Sequence, residues 1–419
     1  MKDAVGVIVK EYMELETELM DRETKLKEVP GKALSIVGVR RAGKTSLLLY
    51  HFQKLRDEGE NVLFFPFDDD RIYPPTLDTV RTVIKVAKEF YPDGKIHFFF
   101  DEMQEIDNWE LAVKRLVERE GHSVFLTGSS SRLFSKELAT QLRGRTVVRE
   151  IFPFSFREIL RLHKIEISKY YTESQEARIK KLLKRYLEWG GFPEIWVKDE
   201  FAEEILREYV NIMLYRDIIE RFAVRNYKAL KLFLKLAVTA FSTRISVNKI
   251  SNYMKTIGVD ISRNTLYNYL EYCNDVYMLF PVRRFSYSLK DIEQSKPKIY
   301  TVDNGITKVF AHNISENVGR LMENTVFLEL RRNHRENEDL FYYVTKDNKE
   351  IDFLIDNQQL VEVTYDLDRG HVKKVMRAMD ELKIRKGTVI TWDEEDAVEK
   401  DGRKVEIVPM WKWLLAQRK

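Results

Sequence analysis

Short apolar runs recur between residues 33 and 151, and the segments between them carry apolar residues at every third or fourth position. A short apolar run bounded by turn residues is typical of a buried strand, and the spacing between the runs predicts helices. Strands that alternate with helices indicate an α/β fold with a parallel sheet covered on both faces. An amphipathic stretch, VIVKEYMELETELMDRE, precedes the first strand and predicts a helix. The predicted strands read ALSIV, NVLFFPF, IHFFF, SVFLT and TVVREI.

The pattern changes after residue 152. Residues 155–240 have helical spacing, and Gly190-Gly191 before Pro193 interrupts them. Two short helices and a hairpin from about Tyr277 to Val302 are expected next, followed by helices mixed with the strands EIDFLI, LVEVTY and GTVITW. We therefore expect four domains, covering residues 1–152, 153–240, 241–302 and 303–419.

Composition narrows the classes of function. The chain has 419 residues and a formal net charge of +3, so a surface that binds nucleic acid must be local. The single Cys273 excludes a disulfide within the chain and suits a reducing cytoplasm. No apolar run approaches the ~20 residues that a membrane-spanning helix needs, so we expect a cytoplasmic protein with no membrane partner. The scattered histidines lack HxH or HExxH spacing, which argues against zinc chemistry.

The stretch from Gly38 to Thr45 fits the phosphate-loop pattern G-x-x-x-x-G-K-S/T. Its small residues let backbone N–H groups surround a β-phosphate at the positive end of the following helix. Lys44 is expected to reach the β- and γ-phosphates, and the Thr45 hydroxyl to bind Mg²⁺. A chance match in a loop is the alternative, but the flanking strand and helix argue against it. The predicted ATP-binding residues are Gly38, Val39, Arg40, Arg41, Ala42, Gly43, Lys44, Thr45 and Ser46.

A second acidic element follows in IHFFFDEMQEI, where an apolar strand ends in Asp101-Glu102. We expect Asp101 to hold the Mg²⁺ shell and Glu102 to polarise the attacking water. The alternative is an ordinary pair of carboxylates at a strand end. One strand lies between the phosphate loop and this pair along the chain, as in NTPases with an additional catalytic glutamate. This order favours hydrolysis over binding alone.

Further groups around the phosphates are less specific. Thr127 or Ser129, at the end of the next strand, could sense the γ-phosphate, or the segment could simply form a turn. Arg143 and Arg145 in QLRGR could stabilise transition-state charge across a subunit interface, or could be surface residues.

The segments GVRRAGKTSLL, FFFDEMQEIDNW, FLTGSSSRLF, LRGR and IFPFSFREIL, in this order, resemble archaeal and bacterial AAA+-related ATPases of the STAND-like clade. The segments YLEWGGFPEIW, LYRDIIERF and KPKIYTVDNGI are similar as well, so the resemblance covers nearly the whole chain. It implies that a P-loop ATPase domain is followed by a helical lid, a winged helix and a restriction-nuclease-like α/β domain. It also implies that the chain binds and hydrolyses ATP with Mg²⁺; it leaves the client open.

Residues 246–279 have helix-turn-helix spacing, with helix starts at Ser246 and Ser262 and a break at Gly258. The apolar face is expected to comprise Ile250, Tyr253, Leu266, Tyr269 and Leu270. In a DNA reader, the second helix would present Arg263, Asn264 and Asn268 to the bases. Phosphate contacts near the wing would come from Arg283, Arg284, Lys290, Lys296 and Lys298. The alternative is that this segment packs only against protein.

The tail resembles the PD-(D/E)XK nuclease core, which takes one acid from a helix and two from neighbouring strands. Glu323, Asp352 and Glu362 match these positions, and carboxylates of this kind can bind a metal. Thr364, however, stands where the core has its lysine. Lys346 or Lys349 could substitute, although nothing in the sequence shows it. A retained fold that serves as a binding platform is favoured over an active nuclease.

Three functions follow from these patterns. The first is an ATP-hydrolysing switch or motor that engages double-stranded DNA through the winged helix. The second is a signalling scaffold that uses ATP as a latch and binds a protein client. The third is a metal-dependent nuclease. A homo-oligomer is compatible with each of them.

Overall fold

The apolar runs between residues 33 and 151 form a single parallel sheet. The computed structural model describes residues 1–128, 144–310 and 317–416. Within the first unit of the chain, Met1–Phe152, the strands are β1 (Ala33–Val37), β2 (Val62–Pro66), β3 (His97–Asp101), β4 (Ser123–Thr127) and β5 (Thr146–Glu150). Every strand pair is parallel, and the order across the sheet is β2-β3-β4-β1-β5. The α/β expectation is confirmed.

Helices cover this sheet and fill its core with aromatic rings. Phe52 lies edge-on to Phe64 and Phe99, and Phe99 stacks on Phe125 with ring centroids 4.9 Å apart. Tyr12 of the first helix stacks on Phe64, so the amphipathic N-terminal stretch packs against the sheet. The helices of this unit are α1 (Lys2–Glu14), α2 (Lys44–Asp57), α3 (Leu77–Phe90) and α4 (Trp109–Glu118), with 3₁₀ turns at Asp70–Ile72 and Met103–Glu105.

The strand order determines which edge of the sheet carries the predicted nucleotide-binding residues. Strand β4 lies between β1 and β3 in the sheet. Because all the strands are parallel, the segments that follow β1, β3 and β4 leave the sheet at the same edge. The phosphate loop, the acidic pair and Thr127 therefore meet at one edge.

The second unit begins at Pro153 and opens with helices. Serine and threonine start several of them; the Ser246 and Ser262 side chains, for example, accept hydrogen bonds from Lys249 and Thr265 N–H groups. The α-helices are α5 (Phe156–Leu162), α6 (Glu173–Trp189), α7 (Pro193–Val197), α8 (Ala202–Ile212), α9 (Tyr227–Thr239), α10 (Val247–Thr256), α11 (Arg263–Asp275), α12 (Leu289–Gln294), α13 (Asn304–Phe310), α14 (Val318–Arg331), α15 (Arg369–Leu382) and α16 (Met410–Leu415). A π-helix, Met213–Glu220, continues α8.

Two sheets complete the second unit. Its strands are β6 (Thr243–Arg244), β7 (Leu279–Val282), β8 (Lys298–Thr301), β9 (Leu340–Val344), β10 (Glu350–Ile355), β11 (Gln359–Val363), β12 (Lys386–Thr391), β13 (Asp396–Lys400) and β14 (Arg403–Pro409). An antiparallel sheet has the order β6-β8-β7, and a mixed sheet has the order β13-β14-β12-β11-β10-β9.

Two expectations about the second unit change. The segment between Tyr277 and Val302 is not a simple hairpin, because helix α12 lies between the antiparallel strands β7 and β8. Tyr253 does not belong to the apolar face of the helix pair, since half of its surface is exposed whereas Leu266, Tyr269 and Leu270 are buried.

Within the described residues, none of the helices combines the length and the apolar character needed to cross a bilayer.

Candidate nucleotide-binding site

The loop from Gly38 to Gly43 turns sharply between β1 and α2. Gly38 has φ 144°, and a Cβ at this position would lie 2.1 Å from the Ile151 carbonyl oxygen. Gly43 has φ 92° and immediately precedes the first helical residue, Lys44. Both positions therefore need glycine. The loop delivers the chain to the N-terminus of α2, where free N–H groups and the helix dipole favour an anion.

Lys44 is folded back onto the loop that precedes it. Its side chain is buried, and Nζ donates hydrogen bonds of 3.0 Å to the carbonyls of Gly38 and Val39. The ammonium group thus already lies inside the loop. A phosphate bound there would provide a stronger, charged acceptor for the same donors.

Three side chains from three segments meet beside the loop. The Thr45 hydroxyl donates to Asp101 Oδ2 at 2.9 Å. The Thr127 hydroxyl donates to Asp101 Oδ1 and accepts the Glu102 backbone N–H at 3.1 Å. Thr127 is fully buried, and its hydroxyl joins both members of the acidic pair. The hydroxyl and carboxylate predicted to hold Mg²⁺ are therefore adjacent, and both are hard oxygen ligands of the type that this ion takes.

Burial changes the acidity of Asp101, the predicted metal ligand. Desolvation raises the pKa of Asp101 to about 6, and the nearby Glu102 carboxylate acts in the same direction. Hydrogen bonds from Thr127 and Thr45 oppose this rise because they stabilise the charged form. A bound cation would further favour the ionised carboxylate.

Glu102 projects from a strained turn at the end of β3. Its φ is 51°, in the left-handed region that few non-glycine residues adopt. The side chain is partly exposed, and Gln104 Nε2 donates to its Oε2. This contact holds the carboxylate beside the Asp101 site. Gln104 did not emerge from the sequence patterns, because a glutamine two residues away carries no motif of its own.

Arg22 supports the phosphate loop from the N-terminal segment of the same unit. It is buried, with one guanidinium nitrogen donating to the Ala42 carbonyl and another to the Phe152 carbonyl, each at 2.8 Å. Sequence reasoning missed this residue. The amphipathic stretch over residues 7–23 predicted a helix that would include Arg22, whereas α1 ends at Glu14 and Arg22 lies in the non-helical chain after it.

The other residues that the sequence predicted for the nucleotide site do not all lie near the phosphate loop. Ser129 and Arg143 lie outside the described residues. Arg145 pairs with Glu118 and directly precedes β5, at the edge of the sheet opposite the phosphate loop. An arginine finger at this position would have to act on another subunit, which stays a prediction. Arg40 is half-buried and Arg41 is exposed within the loop, as are the Thr45 and Ser46 side chains at the start of α2.

The helix pair α10–α11 follows the predicted helix-turn-helix boundaries. Arg263, Asn264 and Asn268 are all exposed on α11. Arg283, also exposed, pairs with Glu293 of α12 at 2.5 Å. Arg284 is half-buried and donates to the Val344 carbonyl of β9 at 3.2 Å.

The expected wing cation Lys298 is in the wrong place for DNA. Its side chain is buried, and its ammonium group contacts Glu323, Glu350 and Asp352. Two of the predicted nuclease acids, Glu323 and Asp352, thus contact Lys298, whereas Lys346 and Lys349 are exposed.

Comparisons with known proteins agree with the architecture of the first unit. A model described as an AAA domain matches residues 30–160. Two domains of unknown function, DUF8612 and DUF4143, match residues 180–316 and 318–413.

Among solved structures, the Walker-type ATPase paby2304 of Pyrococcus abyssi has a TM-score of 0.39 and 16% identity, with 66% of this chain and 90% of that chain covered. The Aeropyrum pernix ORC1 protein in complex with DNA has a TM-score of 0.31 and 12% identity, with coverage of 74% and 91%. Because both scores are below 0.5, the description of the fold depends on the strand order of the chain itself.

Sequence relatives span nearly the whole chain. An uncharacterized protein of Haemophilus influenzae is 29% identical over 91% of this chain and 93% of its own length. The uncharacterized protein MJ1544 of Methanocaldococcus jannaschii is 38% identical over 95% of this chain and 91% of its own length. The chain therefore belongs to the same family as MJ1544, and it carries an AAA-type, ATPase-like domain of the kind associated with nucleotide binding and hydrolysis.

Proposed function

We propose that the first unit binds ATP with Mg²⁺ and hydrolyses it. The observation that carries this proposal is the hydrogen-bonded chain from Thr45 through Asp101 and Thr127 to the backbone of Glu102. It joins a hydroxyl and a carboxylate that can hold Mg²⁺ to a second carboxylate that can act on water.

Each residue has a distinct role in this proposal. The loop N–H groups and Lys44 would hold the β- and γ-phosphates, and Thr45 and Asp101 would hold Mg²⁺. Glu102 orients and polarises the attacking water. Thr127 is a positioning residue, because its buried hydroxyl fixes both acids. The ion supplies charge neutralisation on the phosphate oxygens.

Turnover measurements with two variants test the site. Lys44→Ala removes the ammonium group and is expected to abolish detectable ATP binding and hydrolysis. Glu102→Gln keeps the shape of the side chain but cannot polarise water, so it should retain ATP while kcat falls by at least about 100-fold. The matched control Glu105→Gln changes a nearby carboxylate in the 3₁₀ turn and should turn over at the wild-type rate. Unchanged turnover in Lys44→Ala and Glu102→Gln would refute the assignment.

For the second unit, we infer that helix α11 engages double-stranded DNA and that the chain works as an ATP-driven switch or motor. The support is that Arg263, Asn264 and Asn268 are all exposed on this second helix, where their side chains can reach base edges. A winged helix spanning residues 241–302, with a helical lid before it, is part of this proposal.

A second candidate function rests on a different observation. The same helix pair exposes about half of the surface of Tyr253, Ile257 and Tyr267. Exposed aromatic and aliphatic side chains of this size suit a protein interface. In this alternative, the chain is a signalling scaffold that uses ATP as a latch and binds a protein client. Salt-dependent DNA binding separates the two functions, because contacts to phosphates must weaken as salt rises.

A further inference from the structure

Lys298 lies at the centre of a buried cluster of carboxylates in the second unit. Only 1% of the residue is exposed. Its Nζ is 2.7 Å from one oxygen each of Glu323 on α14 and of Glu350 and Asp352 on β10. The first strand residue of β8 thus contacts two other elements through a single ammonium group.

The number of N–H donors on the Lys298 ammonium group equals the number of carboxylate oxygens that it contacts. It carries three N–H bonds and no acceptor, and three carboxylate oxygens surround it. Burial alone would lower the pKa of Lys298, but Asp352, Glu323 and the other acids hold it well above the ordinary value. The lysine is therefore charged.

The carboxylates have further partners of their own. The Tyr300 hydroxyl donates to Glu323 Oε1 at 2.7 Å, and the Val363 N–H donates to Asp352 Oδ2 at 2.9 Å. Arg244 Nε lies 2.8 Å from Glu350 Oε2. A fourth acid, Glu362 of β11, is buried and pairs with Lys374 of α15.

These residues do not fit the metal that a nuclease core would hold. A Mg²⁺ ion would need the acid oxygens to converge at about 2.0–2.1 Å on the point they share. The Lys298 ammonium lies at that point. The cations Lys298, Lys374 and Arg244 already pair with Glu323, Glu350, Asp352 and Glu362. Burial also raises the pKa of Glu323 to about 8 and the pKa of Glu362 well above its ordinary value, which leaves little negative charge for a divalent ion. Glu323, Asp352 and Glu362 are also buried, so they are not presented to a phosphodiester in solution.

We propose that Lys298 replaces a divalent metal in this cluster. The cluster then has a structural role, because its ion pairs connect β8 to α14 and β10. The acids at the nuclease-like positions thus stabilise the contacts among β8, α14 and β10, which are separate segments of the chain. This proposal is independent of the nucleotide site in the first unit.

A length-matched substitution tests the proposal on the full chain. Lys298→Met keeps the aliphatic part of the side chain but removes its positive charge. The carboxylates of Glu323, Glu350 and Asp352 then face one another without a cation between them. We expect the Tm to fall by about 10 °C. Millimolar Mn²⁺, without nucleotide, should recover part of this loss because the carboxylates, once they have lost the ammonium group, attract another cation. Lys296→Met, which changes an exposed lysine two residues away, should leave the Tm and its response to Mn²⁺ at wild-type values.

Mn²⁺ binding to the wild-type chain provides a test that does not depend on the folding of Lys298→Met. Electron paramagnetic resonance should count the same number of bound Mn²⁺ ions in the wild type and in Asp352→Asn, and wild-type protein with Mg²⁺ or Mn²⁺ should leave plasmid DNA intact. A Mn²⁺ site that Asp352→Asn abolishes, plasmid cleavage lost in that variant, or a Lys298→Met protein as stable as the wild type would overturn the proposal.

Discussion

At the scale of the residue, Arg22 has the clearest effect beyond the phosphate-binding pattern. Its buried guanidinium group ties a carbonyl of the phosphate loop, at Ala42, to the chain after β5, at Phe152. Hydrogen bonds to a charged donor contribute about 1.5–3 kcal/mol each, and a carbonyl left unpaired on burial costs a similar amount. The loop therefore depends on this side chain for its conformation.

We predict that Arg22→Met weakens nucleotide binding by about tenfold or more, because the loop samples conformations that cannot surround a phosphate. A fluorescent ATP analogue provides the measurement. Arg56→Met is the matched control: Arg56 also bonds two carbonyls, those of Met13 and Leu15, but away from the loop. Both variants should lose thermal stability, and only Arg22→Met should lose affinity. Equal affinities in the two variants would show that Arg22 has no specific role at the loop.

The residues of the site differ in how far sequence could predict them. Lys44, Thr45 and Asp101 follow from local patterns, because a loop and a strand end fix their positions. Thr127 was considered as a phosphate sensor, yet its hydroxyl bonds Asp101 and the Glu102 N–H, a link that needs the sheet order to be known. Lys298 was expected at a DNA backbone, because nothing local reveals partners 25 to 54 residues further along the chain.

At the scale of the element, the strands around β1 were predictable because apolar runs between turn residues leave few alternatives. Helices α10 and α11 were predictable from their serine caps. The connection between β7 and β8 was not, since the six residues of α12 are too few to give a clear helical period. Tyr253 was assigned to the core by its spacing alone, although a tyrosine on a helix can as easily face solvent.

Helix α11 carries the prediction for DNA. Replacing Arg263, Asn264 and Asn268 together by alanine should weaken binding to double-stranded DNA by at least about tenfold, with little change in stability because all three are exposed. Fluorescence anisotropy at several salt concentrations would measure this, and wild-type affinity should fall steeply with salt.

The control for this experiment replaces Tyr253 and Tyr267, on the same helix pair, by serine. It should leave DNA binding unchanged. If the alanine triple variant binds DNA as tightly as the wild type at every salt concentration, α11 is not a DNA reader. If only the tyrosine variant loses a partner, the protein-binding alternative is favoured.

At the scale of the whole molecule, the two units have different chemistry. The first brings the phosphate loop, Asp101, Glu102 and Thr127 to one edge of a parallel sheet. The second contains buried charged residues, among them the cluster around Lys298. In the proposed function, turnover occurs in the first unit, and the second transmits the nucleotide state to DNA or to a client protein.

Calorimetric titration of the purified chain with ATP and Mg²⁺ tests the central claim most directly. The account predicts saturable heat with one nucleotide bound per chain, which requires Mg²⁺ for full affinity and disappears in Lys44→Ala. Circular dichroism should show that this variant remains folded. No heat with the folded wild-type chain, or equal heat with the wild type and Lys44→Ala, would contradict the claim that the loop after β1 binds the nucleotide.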